Sequence, residues 1–192
     1  MRIKKSDVIQ TAADIADKNG LSNVSLKAVA ESLNIRTPSL YNHIDSLEAL
    51  LREIAHNGMK TMNERIMQAA IGKIGDDAIK SVGITYLNYM IEHPGIYETI
   101  QWATWHGTEE TGKIFDNYLS LLKTLALSCN FNPVNIDEIL NLLTGVLHGY
   151  TTLQLRYAFT KPDEVRTALS AALDTVLAGL HQKYDQHEKE HL

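Results

Sequence analysis

Cysteine is almost absent from this chain, proline is scarce, no long apolar run occurs, and positive charge is in deficit. Each shortage excludes something. The single thiol, Cys129, cannot close an internal disulfide, so nothing asks for an oxidising compartment, and it reads as a small buried hydrophobe. No stretch approaches the roughly 18 apolar residues that a membrane-crossing helix needs. The opening residues run straight into an amphipathic pattern without the apolar core of a signal peptide. The expectation is a cytoplasmic protein with no membrane partner. With 18 Lys and Arg against 23 Asp and Glu, net charge −5, the whole molecule is no general binder of polyanions. The deficit is uneven: residues 1–55 hold seven charges of each sign, leaving eleven basic against sixteen acidic in the remainder. A neutral amino-terminal part can approach phosphate while an acidic body stays off it.

Catalytic and metal signatures are also missing. No phosphate-cradling Gly-rich loop, no Gly-x-Ser-x-Gly elbow and no Cys-x-x-Cys occurs. His187 and His191 stand at i, i+4, but in a polar tail expected to fray, which makes a poor metal site. The expectation is therefore no enzyme, no metal and no cofactor. Strand signals are absent as well, with no sustained alternation and no Asn-Gly or Asp-Gly hairpin turn.

What is present is helical spacing. Val8, Ala12 and Ile15 share a face and Gly20 follows as a C-cap. Leu26, Val29, Ala30 and Leu33 repeat the pattern after Ser25, a good N-cap; Leu47, Leu50, Leu51 and Ile54 repeat it after Ser46. Further helices are expected at about 76–92, 95–104, 110–129, 135–159 and 163–187, with Pro94, Pro133 and Pro162 at their boundaries. The fold class is all-α. Three short helices precede a longer fourth, expected to join them rigidly to a larger helical body.

The densest information lies between Val24 and Leu51. Asn34 tolerates a left-handed turn between two helices, and Ile35 anchors that turn. Thr37 is placed to cap the next helix with Pro38 in its first turn. In that helix Leu40 and Ile44 point inward, which leaves Ser39, Asn42, His43 and the hydroxyl end of Tyr41 on other faces. A short helix with so little apolar surface suits a polar partner. Two helices across a tight turn, the second of them polar, make the helix-turn-helix that enters a DNA groove.

At these residues the chain resembles the TetR (tetracycline repressor) family of regulators. Ala30-Glu31-Ser32-Leu33-Asn34-Ile35 is similar to the family's Ala-x-x-Leu-Gly-Val turn, with Asn34 for glycine. Leu40-Tyr41-Asn42-His43-Ile44 matches its Leu-Tyr-x-His/Tyr-Phe core. Asp45 to Leu50 matches Asn-Lys-Glu-x-Leu, except that Leu47 stands where the family commonly carries a phosphate-contacting lysine. The match covers about residues 6–55. The resemblance implies that Tyr41 and His43 touch the DNA backbone and that Arg36, Thr37, Ser39 and Asn42 read bases. It implies further phosphate contacts from Lys27 and from the helix start at Ser25, with Lys4 and Lys5 as candidates beside them. A domain boundary near residue 50 follows: residues 1–50 as DNA-binding head, 51–192 as effector-binding and dimerisation body.

In the body, Ile139, Leu143, Val146, Leu147 and Tyr150 make one broad apolar side, which Leu142 and Leu153 extend. Leu169, Leu173, Val176 and Leu180, widened by Ala168, Ala172 and Leu177, make another. Helices this wide in apolar surface bury against more than one neighbour, and a two-fold homodimer on double-stranded DNA with a palindromic operator is expected. Leu143 to Tyr150, containing His148-Gly149, resembles the His-Gly motif of one TetR-family carboxy-terminal subgroup, though its tryptophan is missing here. Aromatic residues concentrate between head and last helices. Tyr86, Tyr89, Tyr97, Trp102, Trp105, Phe115 and Tyr118, with His106 and His148, are the candidate pocket for a small-molecule effector, against the alternative that they fill core. The resemblance implies a repressor released by that effector. The alternative is a helical small-molecule-binding or interaction protein that has lost DNA binding, for which Leu47 is the best sign.

Overall fold

The structure is a computed structural model that describes residues 3–156, 159 and 161–184. It is helical throughout, and no strand forms among the described residues. Among the described residues eight α-helices occur, in the order α1 Lys5–Asn19, α2 Leu26–Ser32, α3 Leu47–Ala70, α4 Gly75–Glu92, α5 Pro94–His106, α6 Glu109–Leu127, α7 Ile136–Leu155 and α8 Pro162–Tyr184. Between α2 and α3 lies a single 3-10 helix, Thr37–Asn42. The chain divides into two compact units, Met1–Thr61 with Glu92–Phe115 and Met62–Ile91 with Asp116–Leu192. Helices α3 and α6 each begin in the first unit and end in the second.

In the first unit, α1 starts where the Lys4 amide donates to the Asp7 carboxylate at 2.8 Å. It buries Val8, Ile9, Ala12, Ala13 and Ala16 and stops at Gly20, whose φ of 86° is open to glycine at little cost. Ser25 caps α2, its Oγ accepting from the Ala28 amide at 3.1 Å. Ser46 does the same for α3 through the Ala49 amide at 3.0 Å. Asn34 takes the left-handed turn with φ 55°. Thr37, however, is no cap. Arg36 holds that position with extended backbone, and no side chain bonds the exposed amides there.

Helix α5 is fastened to α1 by one carboxylate. Asp17 accepts from the amides of Gly95 (2.8 Å) and Ile96 (3.1 Å) and faces His93 Nδ1 at 2.9 Å. A helix start leaves such amides without partners, and here a side chain 78 residues earlier supplies one. The backbones come so close that a Cβ on Gly95 would lie 2.1 Å from the Ala16 carbonyl carbon.

The second unit is built on two long apolar rows. Ile136, Ile139, Leu140, Leu143 and Leu147 of α7 are buried, as are Val165, Leu169, Leu173, Leu177 and Leu180 of α8. Each such side chain stabilises the fold by about 1.5–3 kcal/mol. On α8 Leu177 is the buried residue and Val176 only half-buried, so the inward row is turned slightly from the expected one. Leu142 and Leu153 stay exposed, and Gly145, Gly149, Ala171, Thr175, Ala178 and Gly179 form an open face of small residues on the same two helices. Helix α7 ends at Leu155 and α8 at Tyr184. The stretches expected to continue to 159 and 187, and the His187–His191 pair, run into or lie in residues outside those described.

Candidate functional site

The helix-turn-helix is held from beneath by Val29 and Ala30 of α2 and by Leu40 and Ile44, all buried. The second element is a 3-10 helix and not an α-helix, and this changes which residues share a face. With three residues per turn, positions i and i+3 eclipse. Thr37, Leu40 and His43 form the inner row: Leu40 is fully buried and the other two are half-buried. Arg36, Ser39 and Asn42 form an outer row, and all three are exposed. Tyr41 stands outside the core with 57% of its surface accessible. Its ring is therefore no part of the core. Lys27 projects into solvent beside Glu31 at 3.8 Å, a surface pair worth little. Ser25 is occupied by its cap bond, and Lys5 pairs with Glu53.

The nine expected pocket residues do not assemble as one cluster within either unit. Tyr97, Trp102, Trp105, His106 and Phe115 belong to the first unit, and Tyr86, Tyr89, Tyr118 and His148 to the second. Trp105 is 85% exposed, and with Phe115 it edges an open cleft of about 300 Å³ that also involves Thr108 and Thr111. His106 stacks on Trp102 with ring centroids 4.6 Å apart. Tyr97 is packed in core.

In the second unit Tyr86 and His148 meet edge to face, the phenol oxygen 3.4 Å from Nδ1, and burial lowers the His148 pKa. Tyr89 lies beneath the Arg65 guanidinium at 4.8 Å, and burial pushes the Tyr118 phenol well up. One helical turn from the Tyr86–His148 contact is a small apolar cavity of about 20 Å³, walled by Ile79 and Val82 of α4, Leu122 and Leu125 of α6, and Leu140, Leu143, Thr144 and Leu147 of α7.

Two residues escaped the sequence reading. Asp17 and His56 both act across more than fifty positions, and no local spacing reveals them. His56 is buried with Nε2 2.8 Å from Thr111 Oγ1; desolvation lowers its pKa against the opposing pull of Glu110. Among the described residues no group of three or more His, Cys, Asp or Glu converges as a metal site. The tail run His187 to His191 does have His-Glu-x-x-His spacing, and it lies outside those residues. No helix among the described residues is long and apolar enough to cross a membrane.

Residues 79–176 match the family model for the tetracyclin repressor-like carboxy-terminal domain. The chain is also 30% identical over 174 residues to the HTH-type transcriptional regulator YobS of Bacillus subtilis, covering 90% of both proteins. The chain belongs to the TetR family. This TetR-family protein is a DNA-binding transcriptional regulator. Solved structures share its fold. A protein of unknown function from Rhodococcus sp. RHA1 superposes with TM-score 0.82 at 16% identity, over 94% of this chain and 96% of that one. A TetR variant from Acinetobacter baumannii AYE, solved with minocycline, superposes at 0.71 and 19% identity, over 96% and 100%.

Proposed function

We propose that this regulator is a cytoplasmic, homodimeric repressor, without enzymatic activity or cofactor, that leaves a palindromic operator when a small molecule binds its body. Residues 1–50 act as the reading head and residues 51–192 as the effector-binding and dimerisation part. The observation that carries this reading is the exposed row of Arg36, Ser39 and Asn42 on a helix whose opposite side is anchored by Leu40. Such a row reaches base edges, whereas Lys27, Tyr41, His43 and the Ser25 helix start lie where backbone contacts position the head; Thr37, half-buried, contributes least. The small-residue face of α7 and α8 supports pairing of two copies, because it lets another helix pair approach closely. The minocycline-bound relative gives precedent for a small-molecule effector in this fold.

The test is binding to the DNA upstream of the chain's own gene, at several salt concentrations. Arg36→Ala should lower affinity for that DNA by about 1–3 kcal/mol with little change on a scrambled duplex, whereas Lys27→Ala should weaken both equally and reduce the salt slope by about one. Equal losses on both duplexes for Arg36→Ala would remove the base-reading role.

A further inference from the structure

The second element of the helix-turn-helix is a 3-10 helix, and that geometry constrains the operator. Its first turn closes with the Ser39 amide donating to the Arg36 carbonyl at 2.8 Å, and a later one with the His43 amide donating to the Leu40 carbonyl at 2.8 Å. Residues three apart eclipse, and each step along such a row advances about 6 Å, at a rise of roughly 2.0 Å per residue. Arg36, Ser39 and Asn42 therefore stand in one exposed row about 12 Å long. In an α-helix the same sequence would turn Asn42 about 120° away from Arg36, and only one of the two would face the floor of a groove.

The chemistry along the row is uneven. None of the three side chains makes a hydrogen bond or ion pair with another described residue, so their polar groups are open to a partner. The Arg36 guanidinium presents a fork of donors, which matches O6 and N7 of guanine. The Asn42 amide presents a donor beside an acceptor, which matches N7 and N6 of adenine. Ser39, between them, has one hydroxyl that donates or accepts and so discriminates poorly. Leu40 is fully buried, and with buried Ile44 it gives the row a fixed base.

Stacked base pairs lie about 3.4 Å apart, so a row of about 12 Å spans three to four steps of a duplex. We infer that each operator half-site carries a G·C pair under Arg36 and an A·T pair under Asn42, three or four steps apart, with the pairs between them read loosely by Ser39. This rests on the base-reading role proposed above and deepens it into a sequence pattern.

The experiment selects duplexes from a random pool with the full chain, then measures every single-base variant of the enriched half-site by competition binding. For the parent chain a G·C and an A·T pair three or four steps apart stand out, each losing at least fivefold on replacement, while the pairs between them lose less. Arg36→Gln moves the preference at the first position from G·C to A·T, because glutamine offers the donor and acceptor that adenine takes, and leaves the second position unchanged. Arg36→Lys keeps G·C there. Asn42→Ala flattens preference at the second position alone. Both residues are exposed, so each variant keeps the Tm of the parent, which separates lost reading from lost folding. An enriched half-site without these two positions, or variants whose effects fall on the same or neighbouring base pairs, would overturn the spacing while leaving base reading in place. Uniform binding across the whole pool would overturn base reading and the pattern with it.

Discussion

Asp17 shows how much one side chain can decide. Its carboxylate serves two amides at the start of α5 and faces His93, so its loss leaves buried donors unmet. Asp17→Ala should lower stability by about 2 kcal/mol, at the upper end of measured cap losses. Asp17→Asn, which keeps one acceptor oxygen, should cost less. Urea unfolding followed by circular dichroism measures both, and equal stability of Asp17→Ala and the parent chain would remove the clamp. At the proposed DNA face the discriminating pair is Asn42 and Thr37. Asn42→Ala should lower sequence preference by about 1–3 kcal/mol, as expected for a bidentate base contact. Thr37→Val, half-buried in the inner row, should leave preference unchanged, as competition binding against single-base operator variants will show.

At the scale of elements, most helices were legible in the sequence because their apolar rows and stop signals agree. Gly20, Ser25, Asn34 and Ser46 each do what their chemistry demands, with φ values or cap bonds to match. The element that matters most for DNA was legible in position and not in type. Six residues containing Pro38 offer too few apolar positions to separate a period of 3.0 from 3.6, and the difference moves Thr37 from the reading edge to the inner side. The pocket was legible least. Aromatics close in sequence on α4 and α5 fall into different units because the division runs between Ile91 and Glu92, where α4 gives way to α5, and spacing alone does not say against what a helix packs. A small apolar void leaves no trace in sequence at all, since it is defined by atoms that fail to meet.

For the molecule as a whole, two histidines tie stability to pH. Burial lowers the pKa of both His56 and His148. Above about pH 6.5 each is neutral folded or unfolded, and neither affects stability. As pH falls below that value the unfolded chain takes up protons that the folded chain refuses, so stability declines. Around His56, Glu110 and Glu53 oppose the shift and Lys60 and Arg52 assist it. The Tm should therefore fall between pH 7.5 and 5.5, and His56→Gln should flatten part of that fall; an unchanged slope would show that His56 takes its proton freely in the native state. Pairing of copies is tested separately. Gly149 has open space around a Cβ, so Gly149→Trp should leave the Tm of a single copy almost untouched while shifting sedimentation from dimer to monomer.

The division of the chain into units also bears on how the protein is made. The unit that contains the reading head is interrupted: residues 62–91 are translated before the α5 segment that docks on α1 exists. At about 5–20 residues per second, a ribosome leaves the nascent helix-turn-helix without α5 for a matter of seconds. Over that interval Asp17 has no helix to hold, and Ala16 has no Gly95 against it. A chain stalled before residue 92 should present a loosened, protease-sensitive head, so a competent reader of DNA forms only after the α5 segment has been made.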